Sequence, residues 1–357
     1  MLNAAIVGLG WWGKTLVEAA KDSPLLRFTR AVTLEPETAK DFAARHGLSI
    51  GTSYEDLLAD RTIDAVVLAT PHTRHRCQVE AAAAAGKHVF CEKPITLSRA
   101  DALAAIGACR RAGVALGVGH NRRLWPSIRA IRELCNKGTF GTVMHVEGNY
   151  SHDWLAAHPA SHWRSAPEEA RAGGMTGMGI HLLDCFSYLV GPMHRISALS
   201  MRRTLPLSTG DTTASIIEFG GGATGTIATT LKTPYIWRLA IYGSEAWAES
   251  TSETQLKVCQ ASREPEKIEL QPTNHICENL ESFASAALGM GHFHIADQDI
   301  VHTVAALEAV FLSAAEQGSW IEVSSFDEAI YNGSDADQET PRSNSSLTQD
   351  QTGTMAA

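Results

Sequence analysis

The sequence predicts an α/β protein: a doubly wound parallel sheet of the Rossmann type, then an α+β segment with a large, mostly antiparallel sheet. Three observations predict it. The glycine-rich stretch Gly8-Leu9-Gly10-Trp11-Trp12-Gly13 stands between an apolar run and a helical one at the start of the chain. Short apolar runs then alternate with helical stretches as far as Val118. Beyond that point the apolar runs lengthen, alternate in polarity and are joined by glycine turns such as Gly220-Gly221-Gly222.

Taken in order, Ala4 to Val7 reads as a strand and Lys14 to Ala20 as a helix, with the glycine turn between them. Glycines there permit a tight turn and close backbone approach, and the helix start offers N–H groups and a positive dipole end to a pyrophosphate. The context makes Gly8, Gly10 and Gly13 a dinucleotide site rather than a connector without a ligand. Phe28 to Thr33 is the second strand. Its end usually carries the acid that binds a ribose 2′-hydroxyl in NAD sites, but Thr33 stands there, with Glu35 two residues on. NAD against NADP therefore stays open, with a lean to NADP. Helices follow at Pro36 to His46, stopped by Gly47, and at Ser53 to Ala59.

Asp64 to Pro71 is a continuous apolar run, as a strand covered on both faces requires. Thr73 to Ala85 is an alanine-rich helix stopped by Gly86, and Lys87 to Cys91 is the next strand. Glu92-Lys93-Pro94 follows, so a lysine stiffened by proline lies beyond the carboxyl end of a buried strand, where α/β sheets bind ligands. Thr70, Pro71, His72, His75 and Glu92 share that edge and, with Trp11, Trp12 and Lys93, are expected to contact the cofactor. Ser98 to Ala112 is helical and Val114 to Val118 a strand. The second segment has a helix at Pro126 to Lys137 and strands at Thr142 to Ser151, Ile196 to Arg203, Thr212 to Phe219, Gly225 to Lys232, Trp237 to Tyr242, Ala246 to Ser250 and Leu256 to Gln260. Helices at His181 to Leu189, Asn279 to Leu288 and Asp297 to Gln317 complete it, the last two expected to pack back on a sheet. The divisions are 1–121 for the dinucleotide-binding domain, 122–331 for a substrate and oligomerisation domain, and 332–357 for a polar, disordered tail.

A length of 357 residues allows two domains with ample core. The formal charge of −9, without a dense basic stripe, argues against a nucleic-acid binder. Seven scattered cysteines with no CxxC fit reduced thiols better than disulfides or zinc. No apolar run reaches a membrane span, and the first residues enter a strand pattern at once, so a cytoplasmic protein without membrane contact is expected.

The chain resembles the Gfo/Idh/MocA family of NAD(P)-dependent oxidoreductases. Three motifs carry the resemblance: the glycine turn, Ala85-Gly86-Lys87-His88-Val89-Phe90-Cys91-Glu92-Lys93-Pro94, and Gly173-Gly174-Met175-Thr176-Gly177-Met178-Gly179-Ile180-His181-Leu182-Leu183-Asp184. It spans about residues 2 to 325. The resemblance implies hydride transfer between the nicotinamide and a sugar, polyol or related cyclic alcohol or carbonyl, and a homodimer or homotetramer assembled through the large sheet. Lys93 matches the family lysine, and His181 the family acid/base histidine. The family aspartate four residues before that histidine is Gly177 here, which leaves Lys93 as main proton acceptor or His181 acting alone.

Beside the resemblance, an alcohol oxidation needs a proton acceptor as the hydride leaves; a neutral imidazole serves, and a nearby ammonium stabilises the alkoxide. Asp184, three residues beyond His181, is placed to orient its ring. His120, Arg122 and Arg123 follow the last parallel strand and are expected, with Trp163, Arg164 and Asp184, to bind substrate. The dense loop His152, Asp153, Trp154, His158, His162, Trp163, Arg164 reads as a sugar-stacking wall, with no metal expected. Tyr235 and Trp237 suit either the pocket or an oligomer contact. Two rival functions stand beside the dehydrogenase: an NAD-dependent glycosidase working by transient oxidation, and a non-catalytic dinucleotide-binding sensor.

Overall fold

The computed structural model describes residues 1–159 and 161–324. The expected tail, and the end of the segment expected to stop at 331, lie outside the described residues. Six strands are laid down first: β1 (Leu2–Val7), β2 (Leu26–Val32), β3 (Ser49–Gly51), β4 (Ala65–Leu68), β5 (His88–Cys91) and β6 (Leu116–Val118). All pair in parallel, in the order β3-β2-β1-β4-β5-β6. Every residue of β4 is fully buried because helices cover both faces, which is why its sequence is unbroken Ala-Val-Val-Leu.

The helices between them are α1 (Trp11–Ala19), α2 (Pro36–His46), α3 (Tyr54–Ala59), α4 (His72–Ala84) and α5 (Arg99–Ala112). Ser53 and Ser98 cap α3 and α5 by accepting from the amides of Asp56 and Asp101. Strand β3 is an addition to the expected set: three residues are too few to show a period in sequence.

The second sheet has nine strands: β7 (Val143–Ser151), β8 (Met193–Met201), β9 (Thr212–Phe219), β10 (Thr224–Thr230), β11 (Ile236–Gly243), β12 (Ala246–Ser250), β13 (Gln255–Gln260), β14 (Glu266–Glu269) and β15 (Ile321–Glu322). Their order is β14-β13-β12-β11-β7-β10-β9-β8-β15. Only the β10–β7 pairing among them is parallel. Thr213, Ser215, Ile217 and Phe219 of β9 point inward in strict alternation, while Ile216, with Leu199 and Met144, remains exposed. Strand β8 stops at Met201 rather than running to Arg203. The Asp211 carboxylate takes the amides of Arg203, Thr204 and Leu205 at 2.6–2.9 Å, and so removes them from the ladder.

Four more helices follow β6: α6 (Pro126–Asn136), α7 (Gly179–Val190), α8 (His275–Ala287) and α9 (Asp297–Ala315). Helix α7 brings Leu182 and Phe186 against Gly148 of β7, where a Cβ would lie 2.9 Å from Leu182. Helix α8 starts at His275, earlier than the apolar period suggests, because Asn274 accepts from the Cys277 amide and caps it. It returns to the parallel sheet. Phe283 is fully buried, 5.7 Å from Phe90 ring to ring, over Gly117, whose missing side chain makes the space. Among the described residues no helix is long and apolar enough to cross a membrane.

Phe283→Ala empties that joint and should lower stability by about 3–5 kcal/mol. Urea unfolding followed by tryptophan fluorescence measures it; a loss below about 1 kcal/mol would mean that α8 is not held by this packing.

Candidate active site

The glycine turn is built by close approach. Gly8 has φ +93°, and a Cβ on it would meet the Ala69 carbonyl at 2.5 Å. A Cβ on Gly13 would meet the Gly8 carbonyl at 2.0 Å, so α1 can start directly over the end of β1. Helix α1 has no side-chain cap, and its first amides are free to receive a phosphate. These features fit a dinucleotide, with Gly8, Gly10 and Gly13 giving the backbone cradle. Thr33, at the end of β2, is buried and its Oγ1 accepts from the Glu35 amide at 3.2 Å.

Beside the turn opens a cavity of about 590 Å³, lined by Trp11, Trp12, Thr70, His72, His75, Glu92 and Lys93 from one side and by residues from Asn121 to Tyr235 on the other. His75 braces its floor: Nδ1 lies 2.8 Å from the Pro94 carbonyl and Nε2 lies 3.0 Å from that of Thr70. Burial lowers its pKa while both carbonyls favour the protonated ring. The ends of β4 and β5 are thereby tied together, and the Lys93–Pro94 bond between them is cis.

Lys93 donates from Nζ to the carbonyl of Gly177 at 2.6 Å. Burial, with the cations Arg164 and Arg122 nearby, pulls its amine down to about 7 against the opposing pull of Glu92. Glu92 is buried, which pushes its carboxyl up. Gly119 makes its space: a Cβ there would lie 2.5 Å from a Glu92 oxygen.

His181 sits in the first turn of α7 with Nδ1 buried and unbonded. Burial first, then Lys93 and Arg122, holds its pKa well below the ordinary value, so the ring is neutral at pH 7. Its ring centroid lies 5.9 Å from that of Tyr150. A Cβ built on Gly177 meets nothing within 4 Å, so the turn before His181 leaves open space beside Lys93.

The loop after β7 forms an aromatic wall. Trp154 lies 3.8 Å from His158 ring to ring, tilted against it, and approaches Trp11 at 6.3 Å; Trp163 lies 5.1 Å from His72; Arg164 lies over Trp163 at 4.1 Å. Glu169 anchors the far end. Its carboxylate accepts from the amide and hydroxyl of Thr73 at the start of α4, and its carbonyl accepts from His72 Nδ1 at 3.0 Å. Among the described residues no group of three His, Cys, Asp or Glu is set to hold a metal.

Three expected substrate residues do not reach the cavity lining. Arg123 is buried and turned to Asp184, with Nε 2.9 Å from both carboxylate oxygens, and to Asp299 at 3.1 Å. Asp184 therefore holds Arg123 instead of orienting the His181 ring. His120 is fully buried behind them, 3.9 Å from Asp184, with its pKa lowered to about 4 by burial. Arg122, Trp163 and Arg164 do line the cavity, as do Trp11, Trp12, Thr70, His72, His75 and Glu92. Gly8, Gly10, Gly13, Thr33 and Pro71 lie outside that lining. Tyr150, Asn121 and Glu169 line it without having been expected; Tyr150 carried a signal as an inward position near the end of an alternating strand.

A glycine turn of the dinucleotide type facing a lysine and a neutral histidine across a cleft defines a nucleotide-dependent redox fold. The chain belongs to the Gfo/Idh/MocA oxidoreductase family: residues 2–120 match the family's NAD-binding Rossmann fold and residues 128–249 its C-terminal domain. It is 32% identical over 189 residues to 2,7-anhydro-N-acetylneuraminate hydratase of Mediterraneibacter gnavus, covering 53% of this chain and 49% of that one. It is 30% identical over 209 residues to levoglucosan dehydrogenase of Pseudarthrobacter phenanthrenivorans, covering 56% and 53%. The chain thus spans about half the length of the curated relatives it matches. The structure of a levoglucosan dehydrogenase in complex with NADH and levoglucosan superposes with a TM-score of 0.81 at 25% identity, covering 90% of this chain and 99% of that one.

Lys93 should titrate near pH 7 while surface lysines titrate near about 10.4. Reductive ¹³C-methylation followed by NMR titration reads this directly, and Lys93→Arg assigns the signal; a Lys93 resonance titrating with the surface group would refute the buried, cation-flanked setting.

Proposed function

We propose that the protein is an NAD(P)-dependent dehydrogenase or reductase that moves a hydride between the nicotinamide and a CH–OH group of a sugar, polyol or related cyclic alcohol. The observation that carries this reading is the meeting of Lys93 and the turn before His181 at the mouth of the glycine-turn site. Family membership supports it, and the relatives named above are a dehydrogenase and a hydratase rather than glycosidases, so that rival is set aside. When bound, the nicotinamide supplies the hydride acceptor or donor.

The residues supply the rest. With its amine at about 7, Lys93 is largely neutral just above that pH and can take the hydroxyl proton. The ammonium so formed is received by the Gly177 carbonyl, already 2.6 Å away. His181, kept neutral by burial, offers the same hydroxyl a polar partner without adding positive charge. Trp163 and Arg164 present a flat wall against which a ring can stack. Thr33 in place of a carboxylate supports NADP as the preferred form.

Lys93→Ala and His181→Ala should each lower turnover by about a hundredfold or more. In the wild type, oxidation should rise with pH through about 7 and level above it, since only the deprotonated amine accepts, and Lys93→Ala should lose that rising limb. A dehydrogenase screen of sugars, polyols, sugar acids and dihydrodiols, read at the absorbance of the reduced nicotinamide, checks this; full turnover in both variants would sink the assignment. Thr33→Asp should shift preference from NADP towards NAD by about tenfold or more, because a carboxylate repels a 2′-phosphate and binds a 2′-hydroxyl. Equal kcat/KM ratios in wild type and variant would refute the role of Thr33.

A further inference from the structure

Several arginines of the second segment are answered by carboxylates. Arg123 holds Asp184 and Asp299, Arg238 holds Glu147 and Glu249, and Arg129 holds Glu278. Arg122 has no such partner within ion-pair distance among the described residues, although it is half-buried and lines the cavity. Its guanidinium is boxed by aromatic rings, 3.9 Å from Trp125 and 5.6 Å from both Tyr150 and Trp237. Its Nε is buried without a hydrogen-bond partner, and its Nη2 makes one long bond, 3.4 Å, to the Tyr150 hydroxyl.

Tyr150 also lies against His181, so this unanswered cation stands at the reacting end of the cavity. Lys93, across from it, has a neutral partner in the Gly177 carbonyl. The carboxylates that share the cavity are engaged or removed: Glu169 serves Thr73, Glu92 lies against the Lys93 amide and under Gly119, and Asp153 is exposed at the rim. A guanidinium half-buried among aromatic rings without a counter-ion favours an anion, and a planar, bidentate one is what its fork fits.

We propose that Arg122 binds a carboxylate carried by the substrate, which makes the preferred substrate an acidic sugar such as a uronic or aldonic acid. This rests on the dehydrogenase reading and names the substrate class of the same site. The open space at Gly177 receives the part of the ring that bears the acid, between Arg122 and Lys93. Low-dielectric aromatic walls strengthen the attraction. The bound acid also offsets the positive field that holds down both Lys93 and His181, so binding restores basicity to the amine that must take the proton.

The test uses full-length protein saturated with NAD or NADP and a panel of matched probes: uronic acids, their methyl esters, the parent aldoses, and hexose 6-phosphates. Binding is read by quenching of the cavity tryptophans, and hydride transfer by nicotinamide absorbance. The expected result is that acids bind tighter than their esters and aldoses by about tenfold or more. Arg122→Gln should collapse that acid-to-neutral ratio mainly through KM, and Arg122→Lys should restore part of it. Comparison of acid with ester needs the wild type alone, so the proposal stays open to refutation if a variant does not fold. No acid binding tighter than its neutral partner, or a phosphate ester outbinding the acid, overturns the proposal. Turnover of neutral sugars without preference for acids overturns it while leaving the dehydrogenase reading intact. Tight, Arg122-dependent binding of acids without hydride transfer upholds it and overturns that reading.

Discussion

The buried ion pair between Arg123 and Asp184 is the contact on which the site depends. Arg123 sits in the 3-10 turn Asn121–Leu124 that follows β6, Asp184 lies one turn inside α7, and Asp299 joins from the first turn of α9. Three elements remote in sequence therefore meet at one guanidinium. His181 precedes Asp184 by three residues on α7, so fixing one fixes the other. Such pairs contribute little net stability relative to apolar packing, but removing one partner strands a buried charge at a cost of about 3–5 kcal/mol. The pair is thus better read as a register device for α7 than as a source of stability. It sets the depth at which His181 and Gly177 face Lys93.

The electrostatics of the cleft follow from that placement. Arg123 is neutralised at once, but Arg122 and Arg164 are not paired in the same way, and both press on Lys93. Burial does most of the work on Lys93 and His181, and the cations add to it in the same direction. Glu92 opposes them from beneath the lysine, and Gly119 exists to give its carboxylate room. The result is an amine that exchanges its proton near neutrality beside an imidazole that does not.

Local signals made much of this legible. Helix α2 begins at Pro36 and ends at Gly47, which takes φ +65°, because proline and glycine write their backbone angles into the sequence. Lys93 stood out because a short buried strand, a proline and an α/β sheet edge coincide there. Arg123 and Asp184 were assigned to the cavity because sequence shows that two charges are present, not that they choose each other across 61 residues. The end of β8 was overrun for a similar reason: Asp211 captures three amides from the far side of a turn. Tyr150 and Glu169 escaped notice because their roles exist only once β7 is paired and its following loop has crossed to α4.

That crossing loop completes the argument. It leaves the nine-stranded sheet at Ser151 and reaches the parallel one through Glu169, which caps α4 with a carboxylate where the helix dipole favours it. Trp154 meets Trp11 of the glycine turn on the way. One segment thus touches the turn expected to cradle the dinucleotide, the wall expected to hold a ring, and the helix that begins beside His72. An anion at Arg122 would lie in the same cavity, beside Tyr150, whose ring also neighbours His181. On the proposed reading, stacking on Trp163 and charge at Arg122 would hold the substrate in the cavity that Lys93 also lines. Two anchors with different chemistry orient a ring more strictly than either alone, which is where positioning contributes most to a hydride transfer.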